Sequence, residues 1–225
     1  MASSSPYPIV AVSDLGWLTE MAMIEVDRVM IDDLKIELIQ MMENAGRNLA
    51  RLVLEIFDPT SVRVYAGSGG NGGGGMVAAR HLANAGVDVG LTLSRDPNDL
   101  SGVPAHQLDI LRRMEIEPSA PSNADVAIDA LIGYSLRGAP RGRSAELITR
   151  MRENAKAIVS LDTPSGLDVT TGALPGVAVS ANATLTLAAP KEGLRSAANV
   201  GDLYIADISV PPTVLETLGA AAPNF

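Results

Sequence analysis

The apolar positions of the chain change period as it runs. Between about residues 34 and 56, Leu38, Met41, Met42, Ala45, Leu49, Leu52, Val53 and Ile56 recur at helical spacing and form one apolar face. An earlier stretch, 18–30, also predicts a helix, and Asp32 or Asp33 is placed to cap the longer one. Pro59 ends it. Ser61-Val62-Arg63-Val64-Tyr65-Ala66 then alternates and is rich in β-branched residues, which predicts a strand. From there helices and strands take turns. Helices are expected at 76–85, 104–114 and 144–154, and strands at 87–93, 125–132 and 156–162, with strand-like runs at 182–188 and 202–208. Runs such as Val126-Ala127-Ile128 and Ala157-Ile158-Val159 are continuously apolar, as strands covered on both faces are. The expectation is an α/β fold: a Rossmann-like, doubly wound, mostly parallel sheet with helices on both faces and an N-terminal helical extension. Residues 1–14 read as a flexible arm and 15–225 as one domain.

One segment breaks the pattern. Residues 67–75 read GSGGNGGGG, between the first strand and a helix closed by Gly86. Glycine costs folding entropy, so such a run needs a reason. A side-chain-free turn leading into a helix N-terminus lets backbone N–H groups and the helix dipole face an anion, which points to phosphate or pyrophosphate. Gly67, Gly69 and Gly72 satisfy G-x-G-x-x-G, a weak match where nearly every position is glycine. Met76 stands where a phosphate-binding Walker loop would carry its Lys-Ser/Thr pair.

Composition narrows the chemistry. The chain has 225 residues, 47% of them hydrophobic, which allows one α/β domain with a substantial core. Cysteine is absent, so disulfides, thiolate nucleophiles and zinc–thiolate sites are excluded. The net charge of −9 repels a phosphate backbone, and aromatic residues make up only 3%, so no nucleic-acid partner is expected. His81 reads as a packed helix residue, and the two histidines suggest no metal cluster. No apolar run approaches a membrane span and the N-terminus lacks the form of a secretory signal, so a cytoplasmic protein is expected.

Ligands of an open parallel sheet bind beyond the carboxyl ends of its strands. Two carboxylates stand there. Asp129 lies inside an apolar strand, where an unpaired charge is costly, and a Gly-containing turn, Gly133 to Gly138 with Arg137, follows it. Asp162 ends another buried strand and opens Asp162-Thr163-Pro164-Ser165-Gly166, a turn that fixes Asp162 and Ser165 in one geometry suited to acid–base work.

Met42-Glu43-Asn44-Ala45-Gly46, the glycine run with Met76-Val77-Ala78-Ala79-Arg80-His81-Leu82, Asp129-Ala130-Leu131-Ile132-Gly133, Asp162-Thr163-Pro164-Ser165-Gly166, Pro190-Lys191-Glu192-Gly193-Leu194 and Asp207-Ile208 follow one another as in a known family. Over about residues 15–215 the chain resembles the YjeF N-terminal domain family, the NAD(P)H-hydrate epimerases, which include the apolipoprotein A-I-binding protein. The resemblance implies interconversion of the R and S forms of hydrated NADH or NADPH, a metabolite-repair reaction at C6 of the nicotinamide ring. It implies a potassium ion held by Asn71, Asp129 and Ser165. It implies substrate contacts from Gly70, Asn71, Gly72, Gly73 and Gly74, from Gly133, Tyr134, Ser135, Leu136, Arg137, Gly138 and Ala139, and from Asp162, which is the expected acid–base group. It also implies a homodimer. Gly70 and Gly74 stand where the family carries Asn and Asp. Other readings are a binding or scaffold module on the same fold, and an NAD(P)-dependent oxidoreductase using Asp96 as its ribose acid. A dehydratase of the same hydrate would need a further domain.

Overall fold

The computed structural model describes residues 16–221; the 1–14 arm expected from the sequence lies outside the described residues. Six strands, β1 (Ser61–Ala66), β2 (Asp88–Leu93), β3 (Ala124–Ala130), β4 (Ala155–Leu161), β5 (Ala183–Leu187) and β6 (Asp202–Ala206), form one sheet in the order β2-β1-β3-β4-β5-β6. Every neighbouring pair is parallel, so the sheet is wholly rather than mostly parallel. The chain steps outward from β1 to β2 and then returns to the other side of β1 to form β3. That reversal is the switch point at which parallel sheets open a crevice.

Strand alternation sorts the core into two faces. Val62, Val64, Ala66, Val126, Ile128, Val159 and Leu161 pack with α2 (Leu38–Phe57), α3 (Gly70–Asn84) and α4 (Gly102–Arg113). Tyr65, Ala127 and Ile158 point the other way, against Leu147, Ile148 and Met151 of α5 (Gly142–Asn154). The N-terminal extension is α1 (Glu20–Arg28) running into a wider π-type turn, Val29–Asp33. A short helix, α6 (Pro212–Thr217), closes the described chain and carries no periodic signal. Neither Asp32 nor Asp33 caps α2. The cap is Glu37, in a reciprocal capping box with Gln40, and the helix ends at Asp58 in a left-handed conformation just before Pro59.

The largest departure concerns the glycine run. The sequence predicts a loop until residue 75, but α3 starts at Gly70, so four consecutive glycines lie inside the helix. Local propensity reads glycine as loop; tertiary packing overrides it here. A Cβ on Gly72 would sit 1.9 Å from the Gly67 carbonyl oxygen, and one on Gly75 would sit 2.4 Å from the Ala130 Cβ. Gly46 of α2 is equally closed: a Cβ there would lie 2.5 Å from the Gly74 carbonyl oxygen. The helix is thus seated directly on β3 and crossed by α2 at backbone distance.

Gly72→Ala is expected to destabilise the protein by about 3 kcal/mol, at the upper end of overpacking costs, because the blocking atoms are main chain. Gly70→Ala, whose Cβ would meet only Met42 Sδ at 3.7 Å and Leu38 Cδ1 at 3.8 Å, should stay within about 1 kcal/mol of the parent, glycine being the poorer helix former. Urea unfolding of the two variants separates them.

Candidate functional site

All six strands deliver residues to one cavity of about 460 Å3. Ser68 to Asn71 follow β1, Ser94 and Arg95 follow β2, and residues 131–135 follow β3. Asp162 follows β4, Leu187 ends β5, and Ile208 follows β6. Met23 and Asp27 of α1, with Leu38, Met41 and Met42 of α2, form the remaining wall. The turns after β1 and β3 touch: a Cβ on Gly67 would lie 2.0 Å from the Leu131 carbonyl oxygen. The first turn of α3 therefore opens into the crevice, with its N–H groups and dipole facing any anion there.

Asp162 follows β4 with φ of +67°, a left-handed conformation that aspartate tolerates better than most residues. Non-glycine residues held this way cost of order 1 kcal/mol or more and cluster at functional sites. Three donors fix the carboxylate. Oδ2 accepts the Tyr134 N–H at 3.2 Å, and Oδ1 accepts the Leu187 N–H at 3.4 Å and the Lys191 ammonium. Lys191 is fully buried and also donates to Thr186 Oγ1 at 3.1 Å and to the Leu187 carbonyl at 2.9 Å. The segment carrying Lys191 is held from the opposite end of the chain: Leu18 N–H donates to the Pro190 carbonyl at 2.8 Å, and Glu192 N–H donates to the Leu18 carbonyl at 3.0 Å.

Asp129 is fully buried and aligned with Ser160 of β4. Four donors reach it: Ser160 Oγ (2.9 Å), Ser165 N–H (2.7 Å), Ser165 Oγ (2.5 Å) and Leu131 N–H (3.3 Å). Burial pushes its carboxyl above the usual range, and the Ser165 hydroxyl and amide, the Ser160 hydroxyl and the Leu131 amide pull against that. No ammonium or guanidinium among the described residues pairs with it. Asn71 is the third member of the set. Its side-chain oxygen and nitrogen are both buried and make no hydrogen bond with the protein. Gly133 separates Asn71 from Asp162: a Cβ there would sit 3.3 Å from Asp162 Oδ2 and 3.5 Å from Asn71 Cγ.

The structure distributes the remaining sequence candidates unevenly. Gly70, Asn71, Gly133, Tyr134, Ser135 and Asp162 line the cavity. Gly72, Gly73 and Gly74 lie in the buried body of α3. A side chain at 74 would meet Leu161, Met42 and Ala45, so the position at which this chain lacks the family carboxylate faces core, with Leu161 Cδ2 only 2.9 Å from a Cβ. Leu136, Gly138 and Ala139 continue the turn without lining the cavity, and Arg137 pairs with Glu20 of α1. Asp96 caps a short 3-10 turn by accepting the Asn98 N–H at 2.8 Å, a structural task. Sequence reasoning missed Lys191, although it lies in a quoted motif; a lysine followed by Glu-Gly looks solvated until its fold partner is known. It also missed Asp27 and Arg95. Among the described residues no three His, Cys, Asp or Glu converge as a metal site, and no helix is long and apolar enough to cross a membrane.

A parallel sheet with a helix N-terminus at its switch point, and two buried carboxylates beside it, defines a ligand-binding crevice of the open α/β class. The model of the YjeF-related protein N-terminus matches residues 38–193, and the chain belongs to that family. It is 46% identical over 211 residues to an NAD(P)H-hydrate epimerase of Dehalogenimonas lykanthroporepellens, covering 90% of this chain and 85% of that protein. An NAD(P)H-hydrate epimerase of Truepera radiovictrix is 38% identical, with 81% of this chain and 85% of that protein covered. A bifunctional NAD(P)H-hydrate repair enzyme of Hyperthermus butylicus is 40% identical; 77% of this chain matches, against 35% of that longer protein. The crystal structure of yeast ynu0, YNL200c, superposes with a TM-score of 0.79 at 20% identity, covering 93% of this chain and 96% of that one, a shared fold.

Lys191→Met should cost about 3–5 kcal/mol, because it strands the Asp162 carboxylate in the interior. The double variant Asp162→Asn/Lys191→Met should lose less than the sum of the single losses. A denaturant double-mutant cycle measures this, and strict additivity would disprove the coupling.

Proposed function

We propose that the chain is an NAD(P)H-hydrate epimerase acting on hydrated NADH or NADPH. The observation that carries the reading is the meeting of the α3 N-terminus, Asn71 and the Lys191-held Asp162 in one cavity. The α3 amides suit the pyrophosphate, and Arg95 at the rim adds a positive charge beside them. The hydrated ring then belongs near Asp162. Inversion at C6 breaks one bond at that carbon and re-forms it on the other face, with a proton given up and taken back. A placed carboxylate does this work. Lys191 and the Tyr134 and Leu187 N–H groups hold Asp162 in a single orientation, so its reach to the ring is fixed before the ligand arrives.

A potassium ion fits the residues beside it. The unpartnered Asn71 amide oxygen, the buried Asp129 charge and the Ser165 hydroxyl offer a hard, oxygen-rich surrounding that lacks a cation of its own. When bound, the ion would neutralise Asp129 and hold the two crevice walls together; Asn71, Asp129 and Ser165 would carry it. The apolar side chains of Met21, Ile24, Ile31 and Leu34, exposed along α1 and the turn after it, support the homodimer. A cytoplasmic place suits its dinucleotide substrate.

Purified protein given the R hydrate of NADH should raise the rate of appearance of the S form above the spontaneous rate, followed by chromatography. An unchanged rate would sink the epimerase reading. Asp162→Asn should lower kcat/KM by about 100-fold or more with the far-ultraviolet spectrum preserved. Potassium, and not sodium at equal ionic strength, should raise the melting temperature of the parent protein, and Asn71→Ala should abolish that difference; equal effects of the two salts would reject the ion. Light scattering that reads a monomer at working concentration would reject the dimer.

A further inference from the structure

Tyr134 joins two carboxylates. Its N–H donates to Asp162 Oδ2 at 3.2 Å, and its phenol donates to Asp27 Oδ2 at 2.5 Å. Asp27 belongs to α1, far from the sheet in sequence, yet it lines the same cavity as Asp162. The resemblance that marks the other site residues assigns nothing to it. Its neighbours explain why a carboxyl is tolerated there. Tyr134 comes from the turn after β3, Asp162 from the end of β4, and Lys191 from the segment after β5. Glu20 on α1 is tied to Arg137, and Arg95 sits on the same cavity wall. The α2 side chains facing the cavity, Leu38, Met41 and Met42, carry no charge. Lys191 is committed to Asp162, and among the described residues no cationic side chain bonds Asp27.

We infer that Asp27 is a second proton-transfer group of the site, working opposite Asp162, with Tyr134 setting its orientation. This rests on the epimerase reading above and deepens it. An epimerisation that breaks and re-forms a bond at C6 ends with every proton returned. Each turnover therefore needs one group ready to accept a proton and one ready to give it. Asp162, bonded to the Lys191 ammonium, is arranged as the acceptor. Asp27 is held in a partly buried place with a phenol as its bonded neighbour, and burial, followed by the nearby Asp162 charge, pushes its carboxyl up while Tyr134 and Lys191 pull it down. The two carboxyls line one cavity with different partners, an ammonium for Asp162 and a phenol for Asp27, which divides the accepting and giving parts of one proton exchange between them. Written for loss and return of water, the Asp27 proton passes to the C6 hydroxyl oxygen and the C6–O bond breaks. The ring-nitrogen lone pair closes a C6=N1 double bond. Water then adds to the opposite face and gives its proton to Asp162, and a proton returns from Asp162 to Asp27 through solvent, so atoms and charge balance.

The test compares the parent protein with Asp27→Asn, Asp27→Glu and Tyr134→Phe, using the R hydrate of NADH across a pH series. Asp27→Asn should lower kcat by about 100-fold with a smaller change in KM, and Asp27→Glu should restore part of it. In the parent, kcat should fall as pH rises through the Asp27 ionisation. Tyr134→Phe removes a hydrogen bond that favours the ionised form, so that alkaline limb should move to higher pH. A carbon-13 titration of labelled aspartate carboxyls reads the same group without substrate: one signal titrating above the ordinary carboxylate range should vanish in Asp27→Asn. An active parent with an equally active Asp27→Asn and an unmoved limb in Tyr134→Phe would overturn the inference and leave the epimerase standing. An inactive parent would overturn both.

Discussion

The structure depends on backbone meeting backbone at the first half of α3. Gly72 lies against the Gly67 carbonyl, Gly75 against Ala130 of β3, and Gly74 against Gly46 of α2. Any side chain at these contacts would lift the helix from the sheet. Glycine within a helix is worth about 1 kcal/mol less than alanine, so this stretch is poor as an isolated helix and exists because packing holds it. What the close approach secures is position. The first turn of α3 is pressed to the rim where β1 and β3 diverge, and Asn71 is carried inward between them. The glycines that read locally as a loop are the seat of a helix.

Two carboxyls, Asp129 and Asp162, lie in the interior and a third, Asp27, is partly buried, and each has a different partner. Among the described residues Asp129 has only neutral donors, so dipoles alone face its carboxyl. Asp162 has an ammonium that is itself fully satisfied by Thr186 and Leu187. Asp27 has a phenol. The same functional group thus meets dipoles at Asp129, a full charge at Asp162 and a weak acid at Asp27, and the last two line one crevice. The left-handed backbone of Asp162 fits that picture, since strain of this kind survives only where neighbours on all sides fix it.

Much of this was legible in the chain. Alternating β and α periodicity placed all six strands to within a residue or two, and the rule that ligands sit beyond strand carboxyl ends drew out Asp129, Asp162 and Ser165. The start of α3 was not legible, because glycine signals a loop locally and only the contacts with Ala130 and Gly46 make it helix. Lys191 and Asp27 were not legible for a different reason. Each acquires its meaning from a partner far away in sequence, Asp162 for one and Tyr134 for the other, and no local pattern announces a contact of that range. Asp96, after β2, caps its own turn by accepting the Asn98 N–H.

The pairing of Leu18 with the Pro190–Glu192 segment has a consequence in time. The segment that carries Lys191 into the interior is fastened by Leu18, more than 170 residues earlier in the chain. Contacts that span nearly the whole sequence form late, after the loops between them have closed. During synthesis the sheet edge built from β1 to β4 can assemble while Asp162 still lacks its ammonium. The Asp162–Lys191 pair is therefore completed by a later-made segment docking onto an earlier-made one. Asp162 has no ammonium until residue 191 has been made and seated.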